Sequence, residues 1–394
     1  MTTPTVYVGE LALNDSGAFK IGPFGSSLKK TELVESGIPV VGIENVLPNK
    51  FVKGFRRFIT PRKFEELSDY EILPDDVLVT TMGTIGRAAS APQDIGRVIF
   101  DSHLFRMRVD TSRVFPPYLC YALNSDLVAS QLTQMARGSI MEGLNTTILR
   151  ECSIPLPEMS AQQEIAVRLE QVDRLRYTRR FAIELSDTFL PATFRQLFGA
   201  QLQAGPFREF GELVKITGGG TPARDRPEYY KGRIPWLTSK DMKGDYIWDT
   251  EEHITEEGIK KSATKLVPAG SILIVVKSKV LMHRLPVAIA KVPLCHGQDI
   301  KSIQCSEALQ PAFARFVLKF YEDRLLNLAR GANTEGLTLP MLEELPVPTV
   351  PPSEQEHFAE LVTRHERLRA VQREALRQAE HLFASLLDRA FSSQ

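Results

Sequence analysis

Two segments of the chain repeat apolar residues at the spacing of an α-helix. In the segment that follows residue 353, every seventh position is apolar: Leu361, Leu368, Ala375 and Leu382. Much of the alternate position of this seam is filled by Phe358, His365, Ala379 and Leu386. The segment that follows residue 160 has apolar residues at intervals of three and four: Ile165, Leu169, Val172 and Leu175. Such spacing is typical of a helix that packs lengthwise against a second helix. We therefore predict two long helices with coiled-coil-like contacts.

Short polar motifs indicate where these helices begin. Ser160 is followed by Gln163, and Ser353 by Glu356, which is the spacing of a capping box at a helix N-terminus. In the first segment Pro191 removes a backbone N–H, so we expect it to end or kink the helix.

The rest of the chain alternates short apolar runs with turn-forming residues. Residues 76–81 (DVLVTT) and 271–276 (SILIVV) are bounded by Gly, Pro, Asn and Asp, which indicates β-strands. Similar pieces recur in both halves, such as Ile59-Thr60 and Ile254-Thr255, or Gly37-Ile-Pro and Gly232-Arg-Ile-Pro. We predict two mixed α/β domains.

The chain also repeats on a larger scale. Residues 136–159 (ARGSIMEGLNTTILRECSIPLPEM) recur as residues 329–352 (ARGANTEGLTLPMLEELPVPTVPP), and each copy precedes one of the helical segments. A duplicated unit presents two similar surfaces, which suits a bipartite target better than one catalytic centre. The predicted divisions are a domain at 1–159, a helix at 160–199, a second domain at 200–352 and a second helix at 353–394.

Composition describes an ordinary soluble protein. The chain has 394 residues, 43% of them hydrophobic, and a formal net charge of zero. Its four cysteines have no CxxC spacing, so neither a zinc site nor a disulfide framework is indicated. No signal-peptide core or run of about 18 apolar residues is found, and a cytoplasmic protein is expected.

Motifs for catalysis are weak. Phe115-Pro-Pro-Tyr118 is similar to the substrate-amine loop of amino-group methyltransferases, but phenylalanine replaces its polar first residue, so a turn before an amphipathic helix at 118–133 is favoured. There is neither a glycine-rich cofactor turn followed by a helix nor a GxxxxGK[ST] loop. Pro74-Asp-Asp76 indicates a turn before a strand, and Cys295-His296 is expected to be buried packing.

Basic residues are clustered locally despite the neutral total. Residues 51–63 contain five cations and no acid, interleaved with aromatic residues, which favours phosphate binding. The glycine-rich segment 83–87 carries Thr84 and Arg87, side chains of the kind that read base edges, although a simple β-turn is an equal alternative. In the second half, further cations occur at 240–243 and 277–284.

Several segments occur in a characteristic order and then recur. The first series is IGPFGSSLKK (21–30), GIPVVGIENV (37–46), PDDVLVTTMGTIGRAA (74–89), ARGSIMEGLN (136–145) and SIPLPEMSAQQEI (153–165). The second is IPWLTSKDMK (234–243), HGQDIKSIQ (296–304), ARGANTEGLT (329–338) and ELPVPTVPPSEQEHF (344–358). In this doubled order, nearly the whole chain resembles the DNA-specificity subunit of type I restriction–modification systems.

The resemblance implies a fold and a function. In that family two target-recognition domains form a pseudo-two-fold repeat and are separated by two long antiparallel helices. Each domain reads one part of a split double-stranded DNA sequence. Methyltransferase subunits dock on the helices and bring S-adenosylmethionine, and restriction subunits bring ATP and magnesium. This chain is then a non-catalytic subunit without a cofactor of its own.

These considerations define the predicted site residues. The predicted DNA contacts are Lys30, Lys53, Arg56, Arg57, Arg62, Lys63, Thr84, Arg87, Lys240, Lys243, Lys277, Lys279, His283 and Arg284. The predicted partner contacts on the helices are Ile165, Leu169, Val172, Leu361, Leu368 and Leu382. The second domain departs from the first, because residues 276–284 replace the MGTIGR segment.

The sequence leaves two alternative functions open. The chain could be a methyltransferase or endonuclease whose active site is not recognisable, although the missing cofactor loop argues against this. It could also be a decoy that keeps the helices but no longer reads DNA.

Overall fold

The computed structural model describes residues 3–136, 146–331 and 336–392. Residues 137–145 and 332–335, which contain much of the repeated ARG…EGL signature, lie outside the described residues.

The chain divides into two compact units. Unit 1 contains residues 1–180 and 374–394, and unit 2 contains residues 181–373. The predicted divisions separate domains from helices, whereas each compact unit combines a domain with part of both long helices.

The first half of the chain supplies the domain of unit 1. Its strands are β1 (Thr5–Tyr7), β2 (Phe19–Ile21), β3 (Ile38–Val41), β4 (Val46–Leu47), β5 (Lys50–Phe51), β6 (Phe58–Ile59), β7 (Val77–Thr80), β8 (Ala88–Ser90), β9 (Ile99–Phe100), β10 (Leu104–Met107) and β11 (Ser153–Pro155). Its helices are α1 (Pro61–Glu66), α2 (Pro116–Leu123), α3 (Asp126–Ala136), α4 (Thr146–Glu151) and α5 (Met159–Ala204), which continues into unit 2. The predicted helix at 118–133 is therefore wrong in detail, because the chain forms two helices there.

The second half supplies the domain of unit 2. Its strands are β12 (Phe207–Glu209), β13 (Val214–Gly218), β14 (Ile234–Leu237), β15 (Tyr246–Ile247), β16 (Glu252–Ile254), β17 (Ile272–Val275), β18 (Val287–Ala290), β19 (Cys295–His296), β20 (Ile300–Cys305) and β21 (Pro346–Pro348). Its helices are α6 (Phe210–Leu213), α7 (Glu256–Lys260), α8 (Pro311–Phe320), α9 (Glu322–Gly331), α10 (Leu339–Glu343) and α11 (Pro352–Phe391), which ends in unit 1.

The two domains share one sheet topology. In unit 1 the main sheet has the order β2-β10-β7-β8, and in unit 2 the order is β13-β20-β17-β18 with β15 added at the edge. A second sheet, β6-β3-β9, corresponds to β16-β14-β19, and the pair β1-β11 corresponds to β12-β21. The central strands β7 and β17 are buried along their whole length, which explains their nearly continuous apolar sequences. The predicted pair of similar mixed α/β domains is confirmed.

A matched glycine in each domain allows a close backbone approach. A Cβ atom on Gly37 would lie 2.4 Å from the carbonyl oxygen of Ile59, and one on Gly232 would lie 1.8 Å from that of Ile254. Both distances are far below van der Waals contact, so only glycine fits. This contact explains why the short Gly…Ile-Pro and Ile-Thr motifs recur together.

The threonine that follows each of these isoleucines begins a helix. The Thr60 hydroxyl accepts a hydrogen bond from the backbone N–H of Lys63 at 3.2 Å, and the Thr255 hydroxyl accepts one from Gly258 at 3.1 Å. Threonine is a favoured N-cap because it satisfies a free N–H of the first turn. The motif therefore encodes a strand end and a helix start in both domains.

In unit 1, the first part of α5 packs against the last part of α11. The Arg176 guanidinium lies 3.9 Å from the centroid of the Phe383 ring. Further along α5, the Arg180 guanidinium is 2.8 Å from the Glu380 carboxylate. Residue numbers rise along α5 while they fall along α11, so the two segments are antiparallel.

In unit 2, the last part of α5 packs against the first part of α11 around a cluster of phenylalanines. The Phe358 ring on α11 lies 5.3 Å from Phe194 and 5.7 Å from Phe198 on α5. It also lies 5.0 Å from Phe316 on α8. Because these rings come from both helices and from the domain, one core joins the helices to the domain.

Pro191 was predicted to end or kink α5; the helix continues through it to Ala204, so the predicted end is wrong and the kink stays a prediction. A proline inside a helix costs about 3 kcal/mol. The side chains of Phe194 and Phe198 are each 2% exposed, and burial of a phenylalanine contributes roughly 1.5–3 kcal/mol. Packing of the following turns therefore offsets the lost hydrogen bond.

The predicted capping boxes are also wrong. The helices begin at Met159 and Pro352, so Ser160 and Ser353 lie inside the first turn. Among the described residues, neither serine hydroxyl accepts a capping hydrogen bond.

A buried glutamine fixes each helix start to its domain instead. The Gln162 carbonyl oxygen accepts a hydrogen bond from Phe115 N–H at 2.8 Å, and its amide donates to the carbonyls of Arg113 and Pro157 at 3.0 and 2.9 Å. Gln162 is 1% exposed, and its carbonyl oxygen and amide nitrogen both form hydrogen bonds.

Gln355 repeats this arrangement in unit 2. Its carbonyl oxygen accepts from Gln310 N–H at 2.9 Å, and its amide donates to Ala308 and Val350 at 3.2 and 2.8 Å. Phe115 and Gln310 are the residues just before α2 and α8. The repeated glutamine therefore satisfies the backbone at the start of a domain helix, a role that requires its amide group.

Among the described residues, no helix combines the length and the apolar character required to cross a bilayer.

Candidate nucleic-acid interface and helix surfaces

The basic segment at 51–63 is largely neutralised in the folded domain. Acidic residues from other parts of unit 1, and from α1 itself, pair with its cations. The ion pairs are Lys53–Asp94 at 2.7 Å, Arg62–Glu66 at 3.7 Å, and Lys63 with Glu32 at 2.9 Å and with Glu66 at 3.2 Å. Residues 51–63 contain no acid themselves, but carboxylates from other segments lie beside their cations in the fold. This pairing weakens the prediction that the segment binds phosphates.

Arg56 and Arg57 have different environments although they are neighbours. Arg57 is half-buried, and its guanidinium is 2.7 Å from the Asp101 carboxylate and 3.2 Å from that of Glu44. Burial alone would lower the pKa of Arg57, but the two carboxylates raise it above its usual value. Arg56 is exposed and has no carboxylate partner among the described residues. Arg56 is therefore free to contact a phosphate, whereas Arg57 holds the domain together.

We expect Arg57→Gln and Arg56→Gln to have opposite signatures. Arg57→Gln should destabilise unit 1 by about 1–3 kcal/mol, because it leaves the mostly buried Asp101 carboxylate unpaired. Arg56→Gln should change stability by less than about 0.5 kcal/mol but lower the salt slope of DNA binding by about one. Urea unfolding and DNA titrations at several salt concentrations would measure both. Equal loss of stability in the two variants would contradict this assignment.

The segment 83–87 is a tight turn closed by Thr80. The Thr80 carbonyl accepts from Gly86 N–H at 2.9 Å, and its hydroxyl accepts from Arg87 N–H at 3.0 Å and donates to the Thr84 carbonyl. Gly83 and Gly86 have φ angles of +71° and +86°, which favour glycine. The Thr84 and Arg87 side chains are partly exposed at this turn. The predicted turn is confirmed, and base reading by Thr84 and Arg87 stays a prediction.

The two segments that carry the predicted cations of the second domain are in contact. The side chains of Lys240, Lys243, Lys277, Lys279, His283 and Arg284 are all exposed. The Arg284 guanidinium donates to the Met242 carbonyl at 3.1 Å, which joins the segments 240–243 and 277–284. Lys243 also lies 3.5 Å from Glu251.

In unit 1, the predicted DNA contact Lys30 is likewise exposed, without a carboxylate partner in the described part of the chain.

The repeated signature near residue 330 supports this loop. The Arg330 guanidinium donates to the Met282 carbonyl at 2.8 Å, and Leu337 N–H donates to Val276 at 2.7 Å. Gly336 has a φ angle of +158°, and a Cβ there would lie 2.6 Å from the Val276 oxygen. The signature therefore holds the loop at 276–284, a role that the sequence did not reveal. The first copy lies mostly outside the described residues.

Known proteins show the same organisation. The family model of the type I restriction modification DNA specificity domain matches residues 19–185 and again residues 206–380. The chain belongs to this family. Two specificity domains thus occur in tandem, and each match extends over most of a domain and part of the long helix that follows it.

Individual relatives agree with this assignment. The chain is 32% identical to the type I restriction enzyme EcoR124I/EcoR124II specificity subunit of Escherichia coli over 170 residues, which are 41% of each chain. It is 29% identical to the MjaIX specificity subunit of Methanocaldococcus jannaschii over 164 residues, 40% of this chain and 36% of the relative. These alignments therefore span less than half of either relative.

A solved structure has a similar fold over the full length. The crystal structure of a type I restriction-modification system S subunit from M. genitalium superposes with a TM-score of 0.62. The match covers 100% of both chains at 14% sequence identity. It supports the fold of the two specificity domains and their helices.

Side chains considered for catalysis have structural roles in this specificity-domain fold. Tyr118, from the Phe-Pro-Pro-Tyr segment, is buried and its hydroxyl donates to the Pro155 carbonyl at 2.8 Å. Cys295 and His296 are both fully buried, and burial lowers the pKa of His296. Both were predicted to be packing, and this is confirmed. In the described part of the chain, no cluster of three or more His, Cys, Asp or Glu side chains could hold a metal ion.

Asp76 occupies the predicted turn before strand β7. Its carboxylate accepts from Leu73 N–H at 2.8 Å and lies 3.9 Å from Arg106 and 3.5 Å from Arg108. Burial raises the pKa of Asp76 to about 6, despite the opposing effect of the hydrogen bond and the arginines. The residue is part of the domain interior.

Two of the six predicted partner contacts, Ile165 and Leu169, belong to the core of unit 1 or pack against it. Leu169 is 1% exposed and belongs to the core of unit 1, against which Ile165 also packs, while Val172 and Leu361 are partly buried. Leu169 therefore cannot contact a partner, and this prediction is wrong.

Leu368 and Leu382 are 55% and 46% exposed, so their predicted packing along the helix contact is wrong. The alternate positions of the predicted seam are buried at Phe358, His365 and Ala379, and so is Val362, which follows Leu361. The half of the pattern that contains Leu361, Leu368 and Leu382 was thus placed one residue away from the buried positions, whereas the alternate half is confirmed. Other apolar residues of the two helices also lie outside the buried face and were not predicted as partner contacts. Their exposed fractions are 64% for Phe181, 61% for Leu185 and 66% for Val371.

Proposed function

We propose that this chain is the sequence-specific DNA-recognition subunit of a type I restriction–modification complex. The observation that carries the proposal is the duplicated specificity domain, in which the same topology occurs twice with different exposed loops. Two domains of one fold suit two half-sites, and different loops suit two different half-sequences. Exposed cations on both domains provide the charge that DNA binding requires.

We further propose that catalysis belongs to partner subunits in the cytoplasm. Methyltransferase subunits would supply S-adenosylmethionine, and restriction subunits would supply ATP and magnesium. The chain itself would bind no cofactor. Its neutral net charge fits a subunit that shares phosphate neutralisation with its partners.

Methyltransferase docking is assigned to the exposed apolar residues of α5 and α11. Leu368 and Leu382 are large, apolar and about half exposed, and burial of such side chains at an interface is favourable. We expect Leu368→Asp with Leu382→Asp to abolish co-purification with a co-expressed methyltransferase subunit while urea unfolding of the chain stays unchanged. The matched control is Lys260→Asp with Lys261→Asp on α7, which should co-purify normally. Retained co-purification of the leucine variant would move the docking surface elsewhere.

Methylation-sensitive sequencing of host DNA tests the recognition role. The proposal requires a split methylated motif that disappears when this chain is deleted and returns when it is restored. Purified chain with S-adenosylmethionine and DNA, but without a partner, should transfer no methyl group. Methyl transfer by the chain alone would favour the alternative of a stand-alone enzyme.

A further inference from the structure

A basic groove lies within unit 2, next to the predicted DNA-contacting loops. It has a volume of 1140 Å³ and is bounded by the loop at 243–248, by α8, and by the parts of α5 and α11 that belong to this unit. Lys243, one of the predicted DNA contacts, lies at its rim. The groove is therefore continuous with the cationic surface of the second domain.

The four acids of the groove are paired with three of its cations, because Arg369 contacts two of them. Each of the four has a cationic partner within the groove, in the pairs Asp187–Arg369, Asp245–Arg315, Glu322–Lys319 and Glu366–Arg369. Four other lining cations are exposed and have no carboxylate partner among the described residues: Arg195, Lys291, Arg367 and Arg373. The groove consequently carries a surplus of positive charge in a chain whose net charge is zero.

An exposed tryptophan lies among these cations. Trp248 is 66% exposed, and the Lys291 ammonium lies 5.8 Å from its ring and 4.4 Å from the Tyr246 ring. A large exposed aromatic side chain beside unpaired cations is typical of nucleic-acid surfaces, where the cations bind phosphates and the ring packs on sugars or bases.

Unit 1 has a corresponding arrangement. The Lys50 ammonium lies 5.0 Å from the ring of Tyr177 on α5. Arg174 and Arg180 are exposed on the same helix, at the positions that Arg367 and Arg373 occupy in the repeat, and Arg180 differs from Arg373 in its ion pair with Glu380. The recurrence of helix arginines beside a lysine–aromatic pair indicates a shared role rather than an accident of one surface.

We infer that the groove of unit 2 binds the phosphate backbone of DNA, independently of its sequence, through Lys291 and the helix arginines Arg367 and Arg373, with Trp248 against the strand. This inference rests on the proposed DNA-recognition function and adds the repeated helices α5 and α11 to the DNA-binding surface. Because DNA carries one charge per about 1.7 Å of helix axis, a row of unpaired cations beside the reading loops strengthens binding to every sequence equally.

Tryptophan fluorescence of the full-length chain gives a direct test. The chain has two tryptophans, and Trp236 is 3% exposed, so acrylamide quenching reports mainly on Trp248. A mixed-sequence duplex of about 30 base pairs should protect the fluorescence from acrylamide, and Trp248→Phe should remove this signal. Poly-L-glutamate, as an acidic polypeptide probe, should give no protection.

Charge removal tests the phosphate contacts separately. With a labelled duplex, Arg367→Gln with Arg373→Gln should lower the salt slope by up to about two, so affinity between about 50 and 200 mM salt falls roughly 12-fold less than in the parent. The control, Lys260→Gln with Lys261→Gln, removes two exposed cations outside the groove and should bind as the parent does. The arginine variant should keep the parent's order of preference among duplexes.

The results of these tests distinguish failure of the groove inference from failure of the proposed function. If the labelled duplex binds but Trp248 stays accessible and the arginine variant keeps the parent slope, the inference fails while the proposed function stands. If poly-L-glutamate protects Trp248 and the duplex does not, the groove is a site for an acidic protein segment and the inference is overturned. If neither the chain nor its complex with a methyltransferase subunit binds any duplex, the proposed function fails as well.

Discussion

Phe358→Ala should destabilise unit 2 by about 3–5 kcal/mol, which is the cost of emptying a fully buried phenylalanine site. Phe358 is 0% exposed, and its ring is surrounded by Phe194, Phe198 and Phe316. These neighbours belong to a helix and to the domain, so collapse into the cavity would require both to shift. Since natural domains have only about 5–15 kcal/mol of stability, the unfolding transition of the variant should shift to a much lower urea concentration.

Urea denaturation followed by circular dichroism would measure this loss. Leu368→Ala, ten positions further along the same helix, is the matched control, because Leu368 is 55% exposed. Its free energy of unfolding should change by less than about 0.5 kcal/mol. A similar loss in both variants would show that α11 is stabilised by another face.

Exchange of the second domain should replace one half of the recognised sequence and leave the other half intact. The chain enters and leaves this domain side by side, because β12 and β21 pair antiparallel from Phe207–Pro348 to Glu209–Pro346. A segment whose ends are adjacent can be replaced with little disturbance. Affinity for the original second half-site should fall on the order of 10³-fold or more, since specific contacts supply that much discrimination.

The exchange must preserve the contacts of the shared core. The donor should be a related specificity subunit with aromatic residues at the positions of Phe313, which packs against Phe194 and Phe198, and of Phe316, which packs against Phe358. Methylation-sensitive sequencing would identify the new motif, and the reciprocal exchange of residues 5–155 should alter only the first half-site. A change in both half-sites after either exchange would show that the domains do not read independently.

Much of the architecture follows from local sequence. The repeat at 136–159 and 329–352 predicts the duplication, and runs such as 271–276 predict central strands, because strand formation and turn chemistry depend on neighbouring residues. Even the recurring Ile-Thr pairs correspond to helix starts with equivalent caps. The chain's apolar pattern therefore determined two similar α/β domains, and the order of its motifs determined the family.

Only the tertiary structure decided which charged and apolar groups are available. Lys53 and Arg57 look free in sequence, but Asp94 and Asp101 approach them from distant segments. Pairing of this kind depends on long-range contacts that no local window contains.

The helices show the same limit. A shift of one residue in the heptad pattern leaves the spacing unchanged but moves Leu368 from the contact line to the surface, where it is 55% exposed. Similarly, a proline such as Pro191 disfavours an isolated helix, but the burial of Phe194 and Phe198 stabilises the turns of α5 that follow it. The sequence by itself determined that helices form and recur, and packing against the domains decided their register, their length and the side chains they leave for partners and DNA.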